Sequence, residues 1–503
     1  MSVSEVVASI RDAVSRDGYK YSVLPGPATQ GQRGNQESSS PQRHARMAKI
    51  SIGGMVLFAF LFMMASFSHG HPAPGCELTG SCTGDVSHIW GQYSPWFSVP
   101  SEIDASTPEE CKVTFAQVLS RHGARWPTAK KSADYKLTIN RIKGVVTNYG
   151  SGYDFIKNYE YNLGADDLTA FGQRQMVESG VAFYQRYKEL ANDSIPFIRA
   201  SGSGRVIASA ENFTAGFFAT LGQDPSDSLK GILVIPEDAE FNNTLDHGAC
   251  PSFEDGPASQ VKEKKQSIWL SKWALPIMQR LNERLPGANL SLTETIYLMD
   301  LCPYNTVASP NATLSDFCRL FSHEEWTDYD YYQSLDKWYG YGKGNPLGPS
   351  QGVGFGNELI ARLTGKPVDD HTTTNTTLDS SPKTFPLDRK LYADFSHDNS
   401  MSSIFAALGL YDGTEDLPVK YKLSPHQTHG FSSAWVVPFS ARMYVEKMQC
   451  GRGEELVRVL VNDRVIPLRG CAADDLGRCK LSAFVTSLSF VRNGGRWNEC
   501  YSA

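Results

Sequence analysis

Val113-Thr-Phe-Ala-Gln-Val-Leu-Ser-Arg121-His122-Gly123-Ala-Arg125-Trp-Pro127-Thr128 is the stretch from which the fold is best read. Its apolar first half predicts a buried β-strand, which breaks into a turn carrying two arginines around one histidine. Gly123 lets the backbone bend sharply, and Pro127 stops the strand from continuing. A guanidinium donates two parallel hydrogen bonds to a phosphate, so a histidine between two of them is placed to attack phosphorus or to move its proton. Open α/β sheets take their ligands at the carboxyl ends of strands, which is where this turn lies.

The same design recurs twice. Ile195-Pro-Phe-Ile-Arg-Ala-Ser-Gly-Ser-Gly-Arg205 runs from a short strand into a Ser/Gly turn that presents an arginine, and a helix is predicted from Val206. Lys390-Leu-Tyr-Ala-Asp-Phe-Ser-His397-Asp398 repeats the pattern, followed by a helix over Met401 to Leu408 that Gly409 closes. Trp269, Trp273, Ile277, Leu281 and Leu285 recur at four-residue steps and predict a helix with a core face, kinked at Pro276. Ser291-Leu-Thr-Glu294 is a capping box. Asn345 to Gly356 is expected to be a Gly/Pro loop before a helix over Glu358 to Leu363, and 366–388 a polar loop. Strand-like runs return at Leu456 to Val461 and Arg464 to Leu468. Strands interleaved with helices throughout predict an α/β sheet domain with a helical companion.

The chain has 503 residues and a formal charge of −6, which gives no reason to expect nucleic acid as a partner. An arginine cluster on an acidic body points instead to a focused anion site. Ten cysteines and six Asn-x-Ser/Thr sites, at Asn192, Asn212, Asn242, Asn289, Asn311 and Asn375, favour the secretory pathway and disulfides. Residues 1–49 are polar and read as a disordered tail. Residues 50–67 are uncharged and apolar, with Arg43, Arg46 and Lys49 on the N-terminal side. That asymmetry keeps the N-terminus in the cytosol and puts the rest outside. Segment 50–70 therefore reads as a signal peptide or a signal anchor, with the catalytic region secreted or held outside the membrane in type II orientation. Residues 71–110 form a loop-rich lead-in.

The seven-residue Arg-His-Gly-Ala-Arg-Trp-Pro pattern resembles the signature of the histidine acid phosphatases. From about Cys76 onward the chain resembles the fungal phytases of that family, in Leu163-Gly-Ala-Asp-Asp-Leu-Thr, Phe183-Tyr-Gln-Arg-Tyr, Gly344-Asn-Pro-Leu-Gly-Pro, Asn357-Glu-Leu-Ile-Ala-Arg-Leu-Thr and Val461-Asn-Asp-Arg-Val. The resemblance implies a histidine-phosphatase-like mixed sheet flanked by helices, with a smaller, mainly α-helical domain. The α/β core would take about 111–128, 195–250 and 385–503 of the catalytic region 111–503, and the helical part mainly 129–194 and 251–384. It implies hydrolysis of phytate and other phosphomonoesters, with His122 as nucleophile and Asp398 as general acid. Arg121, Arg125, Arg205 and His397 would bind the phosphate, without cofactor or metal. Asp398 must be protonated to donate, so an acidic optimum is expected. By the family's pattern the disulfides would be Cys76–Cys82, Cys111–Cys450, Cys250–Cys500, Cys302–Cys318 and Cys471–Cys479. A monomer is expected.

Lys131, Asp134, Glu254, Asp336 and Lys337 stand where the resemblance implies substrate specificity. Asp134 and Asp336 occupy places that can be lysine in the family. Two carboxylates near a polyphosphate repel it, so broader specificity and weaker phytate turnover above mild acid are expected. Two other readings compete: a broad acid phosphatase without phytate preference, and a membrane-anchored glycoprotein that binds phospholigands without turnover. A decoy, Gly348-Pro-Ser350-Gln-Gly352, matches the nucleophile elbow of serine hydrolases. It follows Gly, Lys, Asn and Pro where that motif needs a hydrophobic strand.

Overall fold

The computed structural model describes residues 86–238 and 240–501. The expected tail 1–49, the apolar segment 50–70 and the Cys76–Cys82 pair lie outside the described residues. The strands are β1 (Cys111–Arg121), β2 (Phe197–Ser201), β3 (Leu233–Ile235), β4 (Leu391–Ser396), β5 (Arg442–Cys450), β6 (Leu456–Val461), β7 (Arg464–Val465) and β8 (Cys479–Lys480). Helices of ten residues or more are α1 (Ala129–Val145), α2 (Ala170–Arg186), α3 (Gly204–Leu221), α4 (Val261–Arg284), α5 (Leu292–Ala308), α6 (His323–Gly340), α7 (Val353–Thr364) and α8 (Asp398–Ala407).

Period-two alternation along β1 sets the layers. Ala116 and Val118 pack with Ile198, Ala200, Ala393 and Phe395 against Met176, Phe183, Phe213 and Phe217 of α2 and α3. Phe115 and Leu119 belong to the opposite core, with Phe355 and Leu359 of α7 and Met401 and Ile404 of α8. The sheet therefore lies between two helical layers, in the order β3-β2-β4-β1-β5-β6-β7, with β8 beside β6. β3, β2, β4 and β1 are parallel, and β5 to β8 continue antiparallel. All four parallel strands consequently end at the same edge. Helix α4 packs on both α5 and α6, with α1 against α5.

Glycine sets how closely α2 and α3 approach. A Cβ on Gly180 would stand 2.0 Å from the Phe213 carbonyl oxygen, and one on Gly216 2.1 Å from that of Val177. The tryptophan face of α4 is core, as its spacing predicts: Trp269, Trp273, Ile277, Leu281 and Leu285 are all buried. α4 nonetheless runs through Pro276 as one helix. The α7 helix begins at Val353, five residues before the expected Glu358, because Gly354 and Gly356 fit against Thr373 and Val491 where a side chain would clash. Four disulfides close: Cys111–Cys450, Cys250–Cys500, Cys302–Cys318 and Cys471–Cys479. The first joins paired residues of β1 and β5 at the strand end opposite the parallel carboxyl edge. No helix among the described residues is long and apolar enough to cross a membrane.

Candidate active site

His122 follows β1 directly and is almost completely buried. Its Nδ1 lies 2.9 Å from the Gly123 carbonyl oxygen. A carbonyl only accepts, so Nδ1 carries the hydrogen and Nε2 presents its lone pair. Burial, then Arg121, Arg125, Arg205 and His397, hold this imidazole well below the usual histidine range, so it stays neutral in mild acid. The turn beneath it is braced by two flanking helices. Gly123 N–H donates to Ser209 Oγ at 3.1 Å, and Ala124 N–H to Gln175 Oε1 at 3.0 Å. A Cβ on Gly172 would meet the Ala124 carbonyl oxygen at 1.9 Å, so only glycine lets α2 start there.

Three guanidinium groups surround the ring. Arg121 is fully buried; its Nη1 donates to the carbonyls of Gln92 and Val437, and its plane lies 4.6 Å from the Phe439 ring centre. Arg125, from the turn, donates to the Trp126 carbonyl at 2.8 Å and to Tyr304 Oη at 3.4 Å. Arg205 opens α3 and lies 3.4 Å, through Nη2, from His397 Nδ1. Arg121 Nε and Nη2, Arg125 Nε and Arg205 Nε are buried without a hydrogen-bond acceptor. Buried donors left open on three cations around one histidine form a cradle for a multivalent anion.

Asp398 begins α8. Its Oδ2 lies 2.7 Å from Lys337 Nζ and 3.6 Å from Arg121 Nη2. Burial opposes its charge, but Arg121 and Lys337 outweigh burial and hold the carboxyl well below the usual carboxylate range. These two cations favour the carboxylate form of Asp398. His397 has both ring nitrogens engaged: Nε2 is 2.8 Å from Glu237 Oε1, and Nδ1 faces Arg205. Glu237 stands two residues past β3 and went unrecognised in the sequence, although Leu233-Val-Ile-Pro-Glu repeats the strand-to-turn design.

The residues expected to set specificity fall into different surroundings. Lys337 is buried and spends its ammonium on Asp398, on Asn399 Oδ1 at 2.6 Å and on Asp336 at 3.1 Å. Asp336 also faces Lys262 at 3.7 Å, and Asp134 pairs with Lys130 at 3.0 Å. Neither carboxylate stands bare before a substrate, because each has a lysine partner. Lys131 remains 40 % exposed, paired with the buried Asp300, which also accepts from Tyr135 and Tyr329. Tyr304 lies within electrostatic reach of both Lys131 and Arg125, so Lys131 flanks the cradle. Glu254 bonds His247 Nδ1 at 2.7 Å; this outweighs burial and raises the imidazole. His247 packs on Tyr341, whose ring Lys337 also faces. Ser350 of the decoy motif is fully buried and accepts the Arg496 backbone N–H at 3.0 Å.

Comparison with known proteins gives the chain its family. The model of the histidine phosphatase superfamily (branch 2) matches residues 112–462. Phytase A of Aspergillus oryzae is 56 % identical over 431 residues, 84 % of this chain and 92 % of that protein. Phytase A of Aspergillus fumigatus is 50 % identical over 468 residues, covering 89 % of this chain and all of that protein. Among solved structures, the phytase from D. castellii aligns with a TM-score of 0.69 at 24 % identity, over 82 % of this chain and 87 % of that one. A multiple inositol polyphosphate phosphatase from Bifidobacterium longum, complexed with inositol hexasulfate, aligns with a TM-score of 0.58 at 15 % identity, over 80 % and 97 %. At those identities the two structures establish the shared fold.

Proposed function

This chain belongs to the histidine phosphatase superfamily, branch 2, and from that membership we infer that it is a phytase: an acid phosphomonoesterase that hydrolyses phytate and other phosphomonoesters through a phosphohistidine at His122. The observation that carries the reading is the set of buried, unpaired N–H groups of Arg121, Arg125 and Arg205 around the free Nε2 of His122.

In the first half-reaction Nε2 attacks phosphorus and the P–O ester bond breaks, while the three guanidiniums stabilise the charge on the phosphoryl oxygens. The Nδ1–H bond to Gly123 holds the ring as it becomes cationic. Asp398 gives its proton to the leaving oxygen. In the second half water attacks the phosphohistidine, Asp398 takes the water's proton, and His122 returns neutral with inorganic phosphate released. Asp398 acquires its proton when substrate binds: a phosphate beside Arg121 cancels the field that keeps the carboxyl ionised. Acid therefore favours the loaded enzyme.

Phosphate release from phytate and from p-nitrophenyl phosphate, at mildly acidic pH without added metal, tests the reading with His122→Ala alongside. Loss of at least about 10⁴-fold in the variant is expected for a removed nucleophile. Equal turnover in both proteins would sink the assignment. The same assay separates the broader-specificity alternative, an acid phosphatase with little phytate preference. A kcat/KM for p-nitrophenyl phosphate equal to that for phytate would select it. The four disulfides and six glycosylation triplets support a catalytic region outside the cytosol. N-terminal sequencing of protein from the medium distinguishes cleavage from anchoring.

A further inference from the structure

Glu237 has no part in the chemistry above, yet three segments at the rim of the site converge on it. Its Oε1 accepts from the Ser201 hydroxyl at 2.7 Å, the Ser203 backbone N–H at 3.1 Å and His397 Nε2 at 2.8 Å. Ser201 ends β2, Glu237 lies just past β3, and His397 just past β4. Burial opposes its charge, but the bonds from His397, Ser201 and Ser203 hold the carboxyl down at about 2, so it is ionised through the working range. A fixed negative charge beside an anion cradle repels the ligand. Its place makes sense if the charge serves His397.

A carboxylate oxygen only accepts, so Nε2 of His397 carries a hydrogen. Nδ1 faces the Arg205 guanidinium, a donor, and presents its lone pair to it. That polarity is wrong for an ionised phosphate oxygen, which needs a donor. To join Arg205 in holding the phosphate, the ring must take a second proton, at Nδ1. The charged groups around it are Glu237, Arg205, His122 with ring centres 5.7 Å apart, Asp246, and its chain neighbour Asp398. Glu237 at Nε2 and Arg205 at Nδ1 are the two in direct contact with the ring.

We propose that Glu237 is a positioning residue that fixes His397 as its Nε2–H tautomer and balances the imidazolium, which then binds the substrate's phosphate through Nδ1–H. The proton comes from solvent as phosphate arrives, and leaves with it. This deepens the phosphatase reading by assigning the partner that makes His397 a donor.

Calorimetric titration of the full chain with inorganic phosphate, between pH 4 and 7.5 in buffers of different ionisation heat, tests it. The Asp398→Asn background removes the other group that gains a proton on binding. In that background, proton uptake is expected with His397 present and lost in His397→Asn. Glu237→Gln should bind phosphate about tenfold more weakly above pH 6, with the gap closing toward pH 4. Glu237→Asp, which keeps the charge, should recover part of the lost affinity. On the His397→Asn background, Glu237→Gln should add nothing further. A Glu237→Gln defect that is equal at every pH, or that persists in full without His397, overturns the proposal. If the wild-type chain binds phosphate with this pattern yet hydrolyses no ester, the catalytic reading fails and the Glu237 role stands. Normal hydrolysis with a pH-independent Glu237→Gln defect gives the reverse, and a chain that binds no phosphate loses both.

Discussion

Arg199 and Arg205 are six residues apart, yet they belong to two charge clusters that solve opposite problems. Arg205 sits at the carboxyl edge with Arg121, Arg125 and Lys337, where Asp398 and Glu237 are the facing carboxylates. Arg199, inside β2, is wholly buried, with Nε 2.8 Å from Asp394 and Nη2 2.6 Å from Glu358. Arg362 of α7 completes that interior cluster, 2.6 Å from Asp394 and stacked on Phe385 and Tyr392. Gln117 and Thr244 donate to Asp394 and Glu358 in turn, and the Asp379 carboxyl faces Glu358. The edge cluster has more cations than carboxylates and leaves donors open. The interior cluster has more carboxyls than cations. The edge carries an excess of positive charge that an anion can complete, whereas the interior offsets its arginines with carboxyls of its own, which is how the same side chain serves binding in one place and structure in the other.

Removing Arg199 should have the larger effect on the fold. Arg199→Met leaves Glu358 without its arginine and Asp394 with Arg362 alone, and breaking a buried pair in this way costs about 3–5 kcal/mol. Denaturant unfolding at pH 5 measures it; an unchanged midpoint would break the distinction between the clusters. Arg205→Ala should do the reverse. Loss of one charge-stabilising donor set is expected to lower kcat/KM by about 10²–10³-fold. Thermal stability should hold or rise, because Arg125 and Arg205 repel one another. Inorganic phosphate should raise the wild-type melting temperature and raise the variant's less. A variant that loses stability along with activity would put Arg205 with Arg199 and erase the contrast.

How far each cluster could be read from the chain follows from how local it is. Arg121, His122, Arg205, His397 and Asp398 each follow an apolar run within a few residues, so strand, turn and side chain are visible together. β5 carries Glu446 and Lys447 and does not read as a buried strand, because the arginines that neutralise Glu446 come from elsewhere, Arg458 from β6 and Arg186 from the distant α2. The attachment of Lys337 to Asp398 spans sixty-one residues and has no sequence signature. Glu237 had the right local pattern, but an acidic residue at the end of a strand does not suggest an anion site. Asp394 was visible only as a polar interruption in an apolar strand. Its two arginines become evident when β2, β4 and α7 are brought together.

The smallest expected effect tests the acid surplus of the interior. Both Asp379 oxygens are buried without a donor, and burial, then the neighbouring Glu358 carboxylate, push this carboxyl up to about 8. The neutral acid is thus the form the fold prefers, and the native chain binds a proton that the unfolded chain has released by about pH 4. A raised carboxyl contributes stability that is fully present below the unfolded value and is lost as pH rises through the folded one, here between about pH 4 and 8. Asp379→Asn keeps a donor toward Glu358 and removes the titration. The wild-type chain should therefore lose stability relative to Asp379→Asn between pH 5 and 7 by about 1 kcal/mol, the one-proton slope reduced by solvent screening at this half-buried residue. Parallel unfolding curves for the two proteins across that range would mean that Asp379 is already ionised, with the interior cluster balanced by its arginines alone. The edge would then be the part of the molecule where charge is left to be completed by something from solution.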